Sequence, residues 1–256
     1  MKRIEDYKTI PENYAALQTL IGSFVEQLSE ERIKNQKKIL ELWHVGKFMM
    51  LLDEGLQIAR LSERPDIILR DSEDKLIGVE HQIIIDVHAK EREGVIENVF
   101  SRAEQEIQED NDLPNFLANC LIKPDFHFKL SDKASIKDEI KRIVKHFVLT
   151  NTLLPNSIIY HMISMPHSQK NISPNLGAWG QKAITAELIL SAIASKDKKV
   201  IEYRAESAST QWLLLVIGSL NESSYEVEGD LEIDIATGFE KVFLLEDFRN
   251  RLYELK

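Results

Sequence analysis

The 256-residue sequence contains a single cysteine, Cys120, and few glycines or prolines. One cysteine excludes an intramolecular disulfide and a cysteine-rich zinc site. Ten glycines and seven prolines, scattered along the chain, are too few to mark a long hinge or linker. The longest apolar stretch, residues 212–220, is far shorter than a membrane-spanning helix. These absences predict a globular protein with no membrane partner.

An apolar segment typical of secretory signals is also missing from the N-terminus, so a cytoplasmic location is expected. Hydrophobic residues make up 43% of the chain and charged residues 29%, which is an ordinary globular composition. At this length we expect a single domain over residues 1–256. The helical residues 1–55 are the one segment that could form an attached subdomain.

Positive charge is in deficit, because the formal net charge is -10. As a total, this argues against an unspecific nucleic-acid binder, for which a basic surface is the usual signature. The charge is distributed unevenly, however. Residues 65–130 carry 7 basic and 15 acidic side chains, whereas residues 131–199 carry 10 basic and 5 acidic ones. The second segment is therefore the predicted docking surface for a phosphate-bearing partner.

The hydrophobic pattern predicts a mixed β-sheet flanked by helices, an α/β or α+β fold. Apolar residues at three- and four-residue steps predict two helices between residues 12 and 54. Two apolar runs at residues 66–69 and 76–87 predict a hairpin with a short loop. The remaining predictions are helices at 89–109, 134–149 and 184–194, and strands at 123–130, 158–165, 211–217 and 241–245.

The second strand of this hairpin carries the most informative pattern. Because side chains alternate across a strand, Glu80, Gln82 and Asp86 share one face, and His81 shares the other with apolar residues. Pairing of the two strands would bring Asp66 beside Glu80. Close carboxylates repel unless a cation relieves them, and Mg²⁺ is commonly bound by one or two carboxylates with waters and a substrate phosphate. The main-chain carbonyl of His81 is a candidate further ligand.

Pro65-Asp66, thirteen intervening residues and Glu80-His81-Gln82 resemble the PD-(D/E)xK phosphodiesterase superfamily, which contains restriction endonucleases and repair nucleases. The resemblance implies a restriction-endonuclease-like core of a first helix, a hairpin, a following helix and further strands. It implies Mg²⁺, with Mn²⁺ as the alternative ion, bound by Asp66 and Glu80. It also implies a nucleic-acid substrate, with DNA favoured over RNA, and is compatible with a homodimer.

The sequence departs from this superfamily at Gln82, where lysine is usual. An amide cannot supply the positive charge of lysine, although it can orient a water or bond a phosphate oxygen. Lys90, at the start of the next predicted helix, is the candidate for the missing charge. Glu41 is the candidate for an acid that the superfamily often adds from its first helix, with Glu54 as the second choice.

Two functional interpretations stay open at this point. One is an active metal-dependent nuclease, and the other is an inactive member that keeps the fold as a binding or protein-interaction module. A plainer alternative treats Asp66 as a strand-entry residue after proline, and Glu80 and Gln82 as the solvated face of an edge hairpin.

Four lysines, Lys133, Lys137, Lys141 and Lys145, recur every four residues on one predicted helix. Lysines at this spacing repel one another, and a phosphate backbone alongside would relieve the repulsion. They are candidate nucleic-acid contacts, with a solvated basic face as the commoner explanation. Trp179, in a polar loop, is a candidate for stacking on a base, with burial under the loop as the alternative.

Overall fold

The structure, a computed structural model, describes residues 2–5, 10–176, 181–219, 221–229 and 231–256. These residues form helices and strands in a mixed arrangement, which confirms the predicted α+β class with a mixed sheet flanked by helices. The helices are α1 (Ile10–Ser29), α2 (Arg32–Leu52), α3 (Val87–Gln108), α4 (Lys133–Thr150), α5 (Ala186–Asp197) and α6 (Val200–Glu206). The strands are β1 (Lys2–Glu5), β2 (Gln57–Leu61), β3 (Ile67–Arg70), β4 (Leu76–Ile83), β5 (Phe116–Ile122), β6 (Ile159–Pro166), β7 (Asn171–Asn175), β8 (Lys182–Ala183), β9 (Thr210–Ile217), β10 (Tyr225–Glu226), β11 (Lys241–Glu246) and β12 (Arg251–Glu254).

Two compact units make up the chain, whereas the sequence predicts one domain. Unit 1 contains the described residues of 1–85, 181–220 and 224–256, and unit 2 contains those of 86–180 and 221–223. Helices α1 and α2, the predicted subdomain, belong to unit 1 and share a hydrophobic core with its sheet. Unit 2 has a hydrophobic core of its own.

A seven-stranded sheet in the order β1-β12-β11-β9-β4-β3-β2 forms the centre of unit 1. The three middle strands, β11, β9 and β4, are parallel, and the outer pairs are antiparallel. Side chains of α1 and α2 pack on one face of the sheet, and those of α5 and α6 pack on the other. Both faces of the central strands are therefore covered.

This double cover explains the continuous apolar sequence of β9. Trp212 and Leu214 belong to the core that includes α2, whereas Leu213 and Leu215 belong to the core that includes α5. Parallel strands that are buried on both faces need apolar side chains at every position, not at every second one. The run that predicted a strand at 211–217 thus also reflects the central place of β9 in the sheet.

The predicted hairpin is formed by β3 and β4, which pair antiparallel with Ile67 opposite Val79. A five-residue loop joins them, and the Asp71 carboxylate accepts hydrogen bonds from the main-chain N–H groups of Glu73 and Lys75. The predicted end of the second strand at residue 87 is wrong, because β4 ends at Ile83. Asp86 is not part of that strand.

Asp86 caps α3 instead, since its side chain accepts a hydrogen bond from the N–H group of Ala89 at 3.1 Å. Aspartate is a preferred residue at this position because its carboxylate satisfies a main-chain donor that the first turn leaves open. The alternating pattern of the strand runs directly into this cap in the sequence. Alternation alone therefore could not separate the last strand residues from the first residues of the helix.

Gly78 allows the strand that carries Glu80 to lie close to its neighbours. A Cβ atom at this position would lie 2.3 Å from Oε1 of Gln211 and 2.7 Å from Cγ of Pro65. Gln211 is fully buried, and its Nε2 donates to the carbonyl of Ala208 at 2.6 Å. Glycine at residue 78 thus makes room for the Gln211 amide beside the strand, two residues before Glu80.

Unit 2 contains α3, α4 and a three-stranded sheet in the order β6-β5-β7. The predicted strand at 123–130 is wrong, because the strand in this part of the chain is β5, at Phe116–Ile122. Cys120 lies on β5 and is buried, which raises the pKa of its thiol to about 12. None of the helices in the described ranges combines the length and the hydrophobicity that crossing a bilayer requires. Trp179 lies outside the described residues.

Candidate functional site

Asp66 and Glu80 occupy facing positions at the start of β3 and in the middle of β4. Because Ile67 pairs with Val79, Asp66 lies opposite Glu80 in the same register. The Asp66 carboxylate accepts a hydrogen bond from the main-chain N–H of His81 at 2.9 Å. The predicted juxtaposition of the two acidic residues is therefore present in unit 1.

Glu80 is buried, with only 4% of its surface exposed. Strand β4 lies between β3 and β9, so the alternative of a solvated edge hairpin is wrong. Oε1 of Glu80 accepts a hydrogen bond from Nζ of Lys196 at 2.5 Å. Oε2 is buried and has no hydrogen-bond partner among the described residues. One carboxylate oxygen is thus paired with a lysine, and the other has no close hydrogen bond of its own.

Tyr203, on α6, also faces this carboxylate. Burial raises the pKa of the Tyr203 hydroxyl, and its interaction with the negative charge of Glu80, including a hydrogen bond to the carboxylate, raises it further. The phenol therefore stays protonated and neutral beside Glu80.

Lys196 was not predicted as a site residue. It lies at the C-terminal end of α5, 116 residues from Glu80 in the sequence. No local pattern links the two residues, because only the packing of α5 on the sheet brings them together. The lysine nonetheless places a positive charge beside Glu80, whereas Gln82 is neutral.

Gln82 lies on β4, and Lys196 lies on α5. A hydrogen bond joins these two elements next to the site. Oε1 of Gln82 accepts a hydrogen bond from the Ser195 hydroxyl at 3.2 Å, and Ser195 directly precedes Lys196. Asp197, the next residue, accepts hydrogen bonds from the Thr237 hydroxyl at 2.6 Å and from a main-chain N–H group. The last turn of α5 is therefore held on both sides of Lys196.

Glu41 extends the pair to a cluster of three acidic residues, which we call the acidic cluster: Glu41, Asp66 and Glu80. It lies on α2 and is buried in register with Val45 and Phe48, as the helical pattern predicts. Burial raises the pKa of the Glu41 carboxyl, and the charge of Asp66 raises it further. Nζ of Lys37 lies 3.2 Å from Oε1 of Glu41 and acts against this increase.

Glu54, the second choice for the additional acid, lies after the end of α2 and pairs with Lys241 at 3.8 Å. Its side chain is exposed, unlike that of Glu41. Glu41 is therefore the acidic residue of the first long helices that accompanies Asp66.

Two cavities of unit 1 open on the acidic cluster. The first has a volume of about 480 Å³ and is lined by Glu41 and Asp66 together with Lys34, Lys37 and other residues. The second has a volume of about 230 Å³, and Lys37 and Glu41 line it together with His81, Gln82 and Lys196. Because Lys37 and Glu41 line both, we treat the two cavities as one cleft. Glu41 and Asp66 line it, and the buried Glu80 is linked to it through Lys196.

His81, which lines the smaller cavity, is in contact with His44 of α2. Nδ1 of His44 and Nε2 of His81 lie 2.9 Å apart, and the rings are stacked with centroids 5.1 Å apart. Burial, and to a smaller extent the neighbouring His44, lower the pKa of His81 from 6.5 to about 3. Burial also lowers the pKa of His44. Both rings are therefore neutral at pH 7, and one donates to the other.

Lys90, the predicted source of the missing charge, belongs to α3 in unit 2. Its Nζ lies 3.1 Å from a carboxylate oxygen of Glu93, which is buried. The other oxygen of Glu93 accepts a hydrogen bond from the N–H of Ser223 at 2.8 Å. Within unit 2, Lys90 is thus part of an internal network with its own anionic partner.

The four lysines of α4 also lie in unit 2, and three of them pair with acidic residues in the last turn of α3 or just after it. Lys137 and Lys141 both donate to Glu106, and Nζ of Lys145 lies 2.8 Å from Asp110. These pairs relieve the repulsion along the row without a phosphate. Lys133 begins the helix and lines a surface cavity with Glu106.

Among the residues that the structure describes, no group of three His, Cys, Asp or Glu side chains is arranged to hold a metal ion. The acidic cluster combines its carboxylates with the ammonium groups of Lys37 and Lys196, so it is a mixed-charge site. No protein-family model, no curated protein and no solved structure matches the chain.

Proposed function

We propose that this protein is a metal-dependent phosphodiesterase that cleaves nucleic acid, of the PD-(D/E)xK type. The observation that carries the proposal is the pairing of Asp66 and Glu80 across adjacent strands, beside a cleft that Asp66, Glu41 and Lys196 line. The chain order of α2, the β3–β4 hairpin, α3 and the later strands agrees with the core that the sequence resemblance implies. DNA is the substrate that this proposal favours.

A divalent cation would be bound by two carboxylates of the acidic cluster, those of the facing residues Asp66 and Glu80. Oε2 of Glu80 is a buried carboxylate oxygen with no close hydrogen bond in the described part of the chain, so its lone pairs are open to a cation. Mg²⁺ is commonly bound by one or two carboxylates, with waters and a substrate phosphate as the other ligands. Asp66 and Glu80 would hold Mg²⁺ or Mn²⁺, with the main-chain carbonyl of His81 as a further donor. When bound, the ion polarises the scissile phosphate and lowers the pKa of a bound water.

Lys196 supplies the positive charge that the superfamily pattern expects at residue 82. Its ammonium group contacts Glu80 and lines the cleft beside Gln82, so it can also donate to a phosphate oxygen that enters there. Gln82 is held by Ser195 through its Oε1 atom, and its amide nitrogen can orient a water or a phosphate oxygen.

Asp66 and Glu41 have two further roles in the proposed site. The Asp66 carboxylate holds the main chain at His81 through the N–H hydrogen bond, which fixes the strand next to Glu80. The raised pKa of Glu41 favours its protonated form, so this carboxyl group can exchange a proton with a water in the cleft.

The test is a cleavage assay with Mg²⁺ and with Mn²⁺ on single-stranded DNA, duplex DNA and RNA. We expect Asp66→Asn, Glu80→Gln and Lys196→Met each to lower cleavage on the order of 10²-fold or more. Glu73→Gln, in the exposed β3–β4 loop, is the control and is expected to cleave as the wild type does. Cleavage that survives Asp66→Asn and Glu80→Gln would contradict the site assignment.

Calorimetry separates this function from the alternative of an inactive binding module. Mg²⁺ binding that is lost in Glu80→Gln supports the metal site independently of any substrate. A wild-type protein that neither cleaves nucleic acid nor binds Mg²⁺ or Mn²⁺ would favour the module, for which Gln82 in place of lysine is the supporting observation.

A further inference from the structure

The N-terminal half of α2 presents a cluster of lysines beside the acidic cluster. Lys34, Lys37 and Lys38 lie within the first seven residues of the helix. The side chains of Lys34 and Lys37 are 79% and 89% exposed, whereas that of Lys38 is only 16% exposed. All three line the larger cavity, which Glu41 and Asp66 also line.

Lys38 has a structural task within this cluster. Its ammonium group donates to the carbonyl of Ser62, and it lies 3.6 Å from a carboxylate oxygen of Glu63. Ser62 and Glu63 belong to the segment between β2 and β3, which forms the opposite wall of the cavity. Lys38 thus ties the two walls together and leaves Lys34 and Lys37 as the accessible cations.

Lys34 and Lys37 each pair with an acidic residue about one helical turn away. Nζ of Lys34 lies 2.8 Å from Glu31, and Nζ of Lys37 lies 3.2 Å from Glu41. The exposed Lys34–Glu31 pair contributes about 0–1 kcal/mol, so a phosphate can compete for Lys34. The partner of Lys37 is buried, but the side chain of Lys37 is itself 89% exposed, so a phosphate can contact this lysine from the solvent side. The positive end of the α2 dipole also favours anions at this end of the helix.

The lysines of α4 differ in this respect. The side chains of Lys137 and Lys141 are 21% and 33% exposed, and both donate to Glu106. A phosphate on α4 would have to displace a carboxylate that two lysines share. The basic surface expected from the charge distribution is therefore better provided by α2, outside the segment 131–199.

We infer that Lys34 and Lys37 bind the phosphodiester backbone of a nucleic-acid strand next to the scissile phosphate. Lys37 lines both parts of the cleft, so a strand held by Lys34 and Lys37 leads directly to the acidic cluster. This inference rests on the proposed function for the identity of the ligand. It assigns the substrate contacts to α2 and removes them from α4.

The test measures binding without cleavage, by fluorescence anisotropy of a labelled single-stranded DNA in EDTA over a series of salt concentrations. For single strands, the slope of log K against log salt changes by about 0.7 for each phosphate contact. We expect the double variant K34Q/K37Q to lower the affinity and to reduce the slope by about 1.4. The control K75Q/K129Q removes the same charge from two other exposed lysines and should keep the wild-type slope.

The variant K141Q/K145Q tests the competing surface on α4. A loss of affinity and slope in K141Q/K145Q as large as in K34Q/K37Q would overturn the inference, and so would a wild-type slope in K34Q/K37Q. A wild-type protein that does not bind the strand in EDTA overturns it as well. Failure of the proposed function is a separate result, because a protein that binds through α2 but never cleaves with Mg²⁺ or Mn²⁺ would keep this inference and lose the nuclease.

Discussion

The buried histidine pair predicts that acid destabilises this protein through His81. Burial and His44 lower the pKa of His81 from 6.5 in the unfolded chain to about 3. A base with a lowered pKa in the folded state binds fewer protons there, so its contribution to stability is present above pH 6.5 and is lost as the pH falls. Each pH unit in this window costs about 1.4 kcal/mol, which amounts to about 2 kcal/mol between pH 6.5 and about pH 5.

The perturbation is His81→Gln, which removes the titrating ring and keeps a polar side chain opposite His44. We expect the variant to be less stable than the wild type at pH 7, because it loses the ring contact. The difference in the free energy of unfolding should then shrink by about 2 kcal/mol as the pH is lowered to about 5, since only the wild type carries the penalty. Such a change is a large part of the 5–15 kcal/mol that is typical of folded domains.

The assay is urea denaturation of both proteins at a series of pH values in EDTA, with unfolding followed by circular dichroism. His127→Gln is the matched control, because His127 is exposed. The control should keep the pH dependence of the wild type. Stability curves of the wild type and His81→Gln that remain parallel from pH 7 to about pH 5 would refute the reasoning, whatever their absolute separation.

Three further predictions concern the same site. Lys196→Met leaves the buried Glu80 charge without its partner, so we expect the free energy of unfolding in urea denaturation to fall by about 3 kcal/mol. The double variant E80Q/K196M should recover most of this loss. An unchanged stability of Lys196→Met would contradict the pairing. Gly78→Ala places a Cβ atom against Gln211 and should lower the free energy of unfolding by about 1–3 kcal/mol, measured by thermal unfolding. Gly94→Ala is the control, because the space around its Cβ position is open, and it should not lower the stability. Because the pKa of Glu41 is raised, its contribution to stability is present at low pH and is lost as the pH rises. Glu41→Gln should therefore gain stability relative to the wild type as the pH rises from about 4 to about 8, and a constant difference in EDTA would count against the raised pKa.

Part of the candidate site was predictable because it depends on local patterns. The alternation of side chains along β4 placed Glu80 and His81 on opposite faces of the strand, and the hairpin register placed Asp66 opposite Glu80. The helical pattern of α2 placed Glu41 on the buried side with Val45. Each of these inferences concerns one element or two elements joined by a short loop, where the spacing of residues fixes which side chains share a face.

Other parts could not be predicted from the same patterns. The burial of Glu80 depends on β9 and α5, which follow it by more than a hundred residues, and so does the ion pair with Lys196. Lys37, in contrast, is predictable from the sequence, because it lies four residues before Glu41 on the same helix, and lysine and glutamate pair at this spacing.

The sequence by itself determined the mixed α+β class, the hairpin with its two acidic residues, and the helix that presents Glu41. These follow from hydrophobic periodicity and turn chemistry, which act over a few residues. Only the tertiary structure decided which cations accompany the acidic residues. It pairs Glu80 with Lys196 and the α4 lysines with Glu106 and Asp110. Such ion pairs join elements that are far apart in the chain, and their partners are selected by how helices pack on sheets and on one another, which no local spacing encodes.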